Sequence, residues 1–270
     1  MFRIILLLSI GTVALGNNLP TIQDFVAGVK AAEDGLLPEE PSLESLIIGG
    51  QTASPGQFPY IASLRSSGNA HFCGGILANN RWIVSAAHCT IGRSLANTIS
   101  VLGAISRTTG GTRFNSARIV NHPSYVSSTL AFDVSVVQTS TSVGFTNTIQ
   151  PIALGSAFVG GGVTAVVSGW GITAHPGGSL AANLQFVNVQ TITNAQCRSN
   201  LGASGNNVFD HKICNAGMVG RGPCSADSGG PLAAGNTAIG IVSWGIGCAN
   251  GFADVYDRVS SHRSWIIGHF

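Results

Sequence analysis

Carboxylates are what this sequence has least of. Only eleven occur in 270 residues, and none lies between Ile47 and Phe132. The gap covers 90–132 and argues against a calcium site there, because calcium is held by oxygen ligands, carboxylates foremost. Cys-x-x-Cys and His-Glu-x-x-His are both missing, and His71, His122, His175, His211, His262 and His269 are not spaced as metal ligands are. No metal and no cofactor is therefore expected. The absence of any Asn-x-Ser/Thr acceptor excludes N-glycosylation. No apolar run approaches the roughly 20 residues of a membrane span. The basic residues are dispersed, with Arg107, Arg113 and Arg118 the nearest thing to a patch, and no aromatic platform is interleaved with them. That reads as a solvated surface and excludes nucleic acid as a partner.

The chain begins with Met1-Phe2-Arg3, then an apolar run from Ile4 to Leu15 that ends in Ala14-Leu15-Gly16. This is the form of a secretory signal peptide over 1–16, and it predicts a secreted, extracellular protein. Six cysteines in an exported chain imply three disulfides. Residues 17–46 hold six of the eleven acids, Asp24, Glu33, Asp34, Glu39, Glu40 and Glu44, against Lys30 alone. Such a stretch buries little and reads either as a linker or as an activation propeptide. From Ile47 onward the sequence is glycine-rich, poor in charge and long enough for a substantial core. Strand-like runs at 82–85, 112–120, 134–138, 163–168, 184–192 and 237–244 are separated by Gly, Asn, Ser and Pro clusters, which predicts an all-β barrel or sandwich. Helices are expected near 194–199, opened by Thr193 or Asn194, and near 258–268.

Chemistry concentrates in three places. Cys224-Ser-Ala-Asp-Ser-Gly-Gly-Pro-Leu232 sets Ser228 before two glycines that leave room for a substrate. A serine hydroxyl needs a base to take its proton and N–H donors to receive an oxyanion. Asp133 precedes the apolar run Val134-Ser135-Val136-Val137 and should be buried at the start of a strand, where it needs a partner. His88, at the end of the apolar run from Trp82 and beside Cys89, is the candidate. Asp227 lacks a neighbouring cation. A cut after Leu46 would supply one, the new ammonium of Ile47.

Ile47-Ile48-Gly49-Gly50, Ala86-Ala87-His88-Cys89, Asp133-Val134, Gly169-Trp170-Gly171, Asp227-Ser228-Gly229-Gly230-Pro231 and Ser243-Trp244-Gly245 together resemble the chymotrypsin and trypsin family of serine proteases. The order His, Asp, Ser separates this pattern from α/β-hydrolases and subtilisins. The resemblance implies a protease domain over 47–270, built as two six-stranded β-barrels, about 47–150 and 151–257, followed by a C-terminal helix at about 258–268. It implies His88, Asp133 and Ser228 as the catalytic triad, with the N–H groups of Ala226 and Ser228 as the oxyanion hole. It also implies the disulfides Cys73 with Cys89, Cys197 with Cys214, and Cys224 with Cys248. Ala226 departs from the family, which has glycine there.

Specificity by the same resemblance falls to Gly222, Ser243, Trp244, Gly245 and Asp254. Gly222 stands where trypsins place an aspartate, so a roomy apolar pocket is expected to favour Phe, Tyr, Leu or Met. Asp254 on the wall is similar to the arthropod serine collagenases of the brachyurin type, which also take Arg and Lys. Protein or peptide substrates and protein protease inhibitors are the implied partners of a monomer, and digestion in a gut lumen is the implied setting. The alternative is a non-catalytic homologue that acts as a binding protein or effector, to which Ala226 lends weight.

Overall fold

A computed structural model describes residues 48–174 and 177–270. The expected signal peptide and propeptide, Leu46, Ile47 and His175 lie outside the described residues. A two-residue strand β1 (Gln51–Thr52) leads into β2 (Ile61–Arg65), β3 (His71–Leu77), β4 (Trp82–Ser85), β5 (Ile99–Leu102), β6 (Thr112–Asn121) and β7 (Ser135–Thr139). After β8 (Ala153–Leu154) come β9 (Thr164–Gly169), β10 (Gln185–Ile192), β11 (Lys212–Asn215), β12 (Pro231–Ala234), β13 (Thr237–Trp244) and β14 (Asp254–Arg258).

The strands close into two antiparallel barrels of six. The first runs β2-β3-β4-β7-β6-β5 and closes where β5 returns to β2, with Leu102 opposite Ala62. The second runs β9-β10-β11-β14-β13-β12 and closes where Leu232 of β12 lies opposite Val167 of β9. Strand β1 adds to the edge of β10, and β8 pairs in parallel with β13. The sequence supports this locally. In β10 Val187, Val189 and Thr191 point inward while Asn188 and Gln190 are exposed, the two-residue period of a strand with one wet face.

One apolar cluster joins the barrels: Val84, Leu102 and Val136 of the first pack with Ala233 and Ile241 of the second and with Val259 and Ile266 of the C-terminal helix. Backbones also meet directly. Gly74 N–H donates to Ser228 O at 2.8 Å, and a β-carbon on Gly74 would lie 2.8 Å from Gly230 Cα. Glycine at 74 lets β3 of the first barrel press against the Ser228 loop of the second. Three disulfides, Cys73–Cys89, Cys197–Cys214 and Cys224–Cys248, span 16, 17 and 24 residues. In the chain-entropy view loops of that size stabilise by about 3 kcal/mol each.

Helix α2 (Asn194–Leu201) begins at an N-cap Thr193, whose side chain and that of Gln196 form a reciprocal capping box. Helix α3 (Val259–Ile267) ends the fold. Two local expectations need correction. A further helix, α1 (Ala87–Thr90), follows β4. His88 is therefore helical instead of ending a strand; four residues are too few to show a helical period. Asp133 also stands outside β7, which starts at Ser135. Leu130 and Phe132, both at φ 53°, turn the chain sharply just before it.

Candidate active site

Asp133 has no exposed surface and three donors. The backbone N–H of His88 reaches Oδ1 at 2.8 Å, the His88 Nδ1 lies 2.7 Å from Oδ2, and Ser243 Oγ donates to Oδ2 at 2.7 Å. A carboxylate only accepts, so Nδ1 carries the ring proton and the lone pair of Nε2 is left free. The His88 ring is partly open to solvent, with 27% of its side chain exposed. An imidazole held in that way can act as a base. Helix α1 of the first barrel thus presents the base, the turn before β7 orients it, and β13 of the second barrel contributes Ser243.

Ser228, half-buried, separates two hollows. On one side is a cavity of about 290 Å³ lined by Ser225, Val242, Ser243, Trp244, Gly245 and Asp254 among others. On the other side a groove passes His88, Phe72, Ile91 and Arg93. Among the described residues no hydrogen bond joins Ser228 Oγ to His88 Nε2, which lies 3.7 Å from Cys89 Sγ. Such bonds commonly tighten only when substrate arrives.

The loop around Ser228 is fixed from several directions. Gly229 N–H donates to Val242 O, and Gly230 N–H to Asp227 O. Ala226 adopts φ 74°, a left-handed conformation that costs a residue with a β-carbon about 1 kcal/mol. Its carbonyl accepts from His71 Nε2 at 3.1 Å, while His71 Nδ1 meets Ser63 Oγ at 2.8 Å. Burial, the largest cause, pushes the His71 pKa down to about 4. The ring is therefore neutral at physiological pH, with its proton on Nε2. Nothing in the sequence marks His71 for this position except its place two residues before Cys73.

Asp227 is fully buried and accepts from Gly171 N–H at 2.8 Å and Cys224 N–H at 3.0 Å. Burial outweighs those bonds and raises its pKa to about 6. Among the described residues no cation pairs with it. A β-carbon at Gly169 or Gly171 would fall 2.0 or 2.3 Å from its oxygens, so the Gly169-Trp170-Gly171 motif clears space for the carboxylate. Nearby, Gly222 N–H donates to Ile48 O at 3.1 Å, bringing the start of the described chain against this region.

Asp254 opens β14 at the closed end of the cavity. A β-carbon on Gly222 would stand 3.2 Å from its Oδ2, and one on Gly245 3.1 Å from its Oδ1. The carboxylate therefore fills the space that side chains at those two positions would need. Asn215 Nδ2 donates to it at 3.1 Å, and Tyr256 OH in turn donates to Asn215 Oδ1 at 2.7 Å. Burial, the dominant cause, raises the Asp254 pKa to about 7.

Sequence reasoning missed a buried ionic group behind the triad. Lys212 Nζ, fully buried, lies 2.6 Å from Asp257 Oδ2 and 3.3 Å from Ser243 Oγ. The other oxygen of Asp257 meets His262 Nε2 at 2.9 Å, with His211 Nε2 3.9 Å away. His211, Asp257 and His262 converge as metal ligands can, although their spacing in sequence hides it. Their lone pairs are engaged: Phe132 N–H donates to His211 Nε2 at 3.0 Å, and Lys212 occupies Asp257. The arrangement is a hydrogen-bonded charge cluster. No helix among the described residues is long and apolar enough to cross a membrane.

Comparison with known proteins bears on what this geometry serves. Trypsin beta of Drosophila erecta is 35% identical over 270 residues, all of both chains. Trypsin delta of Drosophila melanogaster is 34% identical over the same span, again all of both chains. Trypsin alpha-4 of Lucilia cuprina is 37% identical over 238 residues, 88% of this chain and 91% of its own. Residues 47–266 match the family described as Trypsin. With two closed barrels and a buried carboxylate, imidazole and serine at their junction, the chain belongs to the trypsin family and is a serine endopeptidase acting on proteins or peptides.

Proposed function

We propose that His88, Asp133 and Ser228 carry out the hydrolysis. The observation behind this is the double grip of Asp133 on His88, through Nδ1 and the backbone N–H. Ser228 Oγ attacks the scissile carbonyl while His88 Nε2 takes its proton. The N–H groups of Ala226 and Ser228 receive the oxyanion. The imidazolium, stabilised by Asp133, protonates the departing amine, and water then releases the acyl group by the same route in reverse.

The acyl-side residue enters the cavity of about 290 Å³ beside Ser228. With Gly222 and Gly245 lacking side chains, Phe, Tyr, Leu or Met fits against Trp244 and Val242, and Asp254 gives Arg or Lys a counter-charge. The chain is made with a signal peptide over 1–16 and an acidic propeptide over 17–46, with the protease domain following from Ile47. Cleavage after Leu46 frees the Ile47 ammonium, which pairs with the buried Asp227. The three disulfides fit an extracellular protein. A digestive role in a gut lumen agrees with a protease domain of open specificity. A non-catalytic homologue is the second reading. It is favoured by Ala226 at φ 74°, where a methyl group crowds the oxyanion loop.

The test is a peptide library cut by protein beginning at Ile47, with Ser228→Ala as control. Cleavage after Leu and Phe as well as Arg supports the triad and the Gly222–Asp254 pocket. Apolar cleavage alone removes Asp254 from recognition, and no cleavage by correctly disulfide-bonded protein moves the second reading forward.

A further inference from the structure

Charge divides by depth in this protein. Of the five acids beyond Ile47, Asp133, Asp227, Asp254 and Asp257 are buried, and Asp210 alone is exposed, paired with Arg198 at 3.0 Å. Of the eleven cations there, only Arg65, Lys212 and Arg258 are buried. The described surface therefore carries a net positive charge, which draws anionic partners.

At one place the positive groups converge. Arg65, at the end of β2, and Arg113, on β6, both donate to Asn69 Oδ1. Arg65 Nη2 also donates to Ser106 O at 3.2 Å, and the next residue, Arg107, donates through Nε to Ala181 O at 3.1 Å. Besides burial, Arg113 and Arg107 lower the Arg65 pKa by their charge. None of the three has a carboxylate partner among the described residues. Both terminal nitrogens of Arg107 and Nη2 of Arg113 are likewise without a protein partner there. Between these arginines lie Thr108, Thr109, Gly110, Gly111 and Thr112, which offer no ring on which a base could stack.

We propose that Arg107 and Arg113, flanking the buried Arg65, form an exosite for carboxylate-rich segments of protein substrates, remote from the scissile bond. The proposal rests on the protease reading for its substrate class. The exosite is tied to the catalytic loop by a continuous chain: Arg65 Nε donates to Ser63 Oγ at 2.9 Å, Ser63 Oγ meets His71 Nδ1 at 2.8 Å, and His71 Nε2 holds Ala226 O at 3.1 Å. A bound acidic segment neutralises the like-charge repulsion at the outer end of that chain and tethers the substrate beside the cleft.

Two fluorogenic peptides, identical around the scissile bond, carry six glutamates or six glutamines on a flexible linker. For the processed protein at low ionic strength the glutamate tail lowers KM about five-fold, the scale of a few exposed ion pairs, and leaves kcat unchanged. The difference vanishes at about 0.5 M salt and in Arg107→Gln/Arg113→Gln, which cleaves the glutamine-tailed peptide as the parent does. It survives in the charge-matched Arg118→Gln/Arg263→Gln. Equal KM for the two tails, or equal loss in both double variants, overturns the exosite. Tighter competition by a single-stranded oligonucleotide than by hexaglutamate overturns the polypeptide assignment. Anisotropy of the labelled glutamate tail on Ser228→Ala protein reads binding without turnover, so tail binding with no proteolysis by the parent counts against the triad alone.

Discussion

Acidification should cost this enzyme its cleavage after Arg and Lys before it costs cleavage after Leu or Phe. The cause is Asp254, whose carboxyl is raised to about 7 because it is buried between Gly222 and Gly245 with Asn215 as its donor. Only the ionised form attracts a cationic side chain. Between pH 8 and pH 6 the ionised fraction of a group titrating near 7 falls from about nine-tenths to about one-tenth. Since kcat/KM reports groups of the free enzyme, the ratio of kcat/KM for an Arg peptide to that for a matched Leu peptide should fall about ten-fold over that interval. Any pH effect on the chemistry shared by the two substrates divides out of the ratio. Asp254→Asn should flatten the ratio and leave Leu cleavage intact. The same carboxyl sets a stability signature. It binds its proton more tightly folded than unfolded, so the fold loses stability as pH rises from about 4 to about 7, by at most roughly 4 kcal/mol. Asp254→Asn should therefore melt higher than the parent at pH 8 and about the same at pH 4. A selectivity ratio constant from pH 5.5 to 8.5 in the parent, or an Asn variant that melts lower at pH 8, would falsify this account of the pocket.

Three further outcomes are expected. Lys212→Met strands the buried Asp257 charge and should cost about 3–5 kcal/mol in urea denaturation, whereas Lys212→Met with Asp257→Asn should recover much of the loss; equal losses would show that the pair is not a unit. Ala226→Gly removes the left-handed strain and should stabilise by up to about 1 kcal/mol while kcat holds or rises; a fall in kcat would mean that the methyl group helps to set the oxyanion loop. Chymotrypsin, which cuts after residues like Leu46, should activate the full-length chain, and activation by trypsin alone would place the processing site elsewhere.

The all-β fold was legible because β4, β6, β10 and β13 are runs rich in β-branched and aromatic residues between turn formers. Strands β11 and β14 escaped that reading. Lys212, Asp254, Asp257 and Arg258 are charged residues that look like surface, yet all four are buried, with Lys212 opposite Asp257 in register. A hydrophobic pattern cannot show burial that depends on charges satisfying one another across strands. Strand β3 was hidden by Gly74-Gly75, which reads as a turn until the neighbouring loop is seen pressing on it. At the site, the motifs singled out His88, Asp133 and Ser228, and the structure places Asp133 against His88 with Ser228 at the mouth of the cavity. The support beneath them was not legible: His71 is one histidine among seven, and its hold on Ala226 exists only once the barrels are joined.

The burial of Lys212 also has a practical meaning. From Ile48 to Phe270 it is the sole lysine, and none of its side chain meets solvent. All outward positive charge is therefore guanidinium. Reagents that acylate amines will find no side-chain target on the folded domain, and the Ile47 ammonium, in its proposed pairing with the buried Asp227, is withheld from them as well. Acylation of Lys212 then requires the second barrel to open, and its rate becomes a clock for unfolding that needs no denaturant.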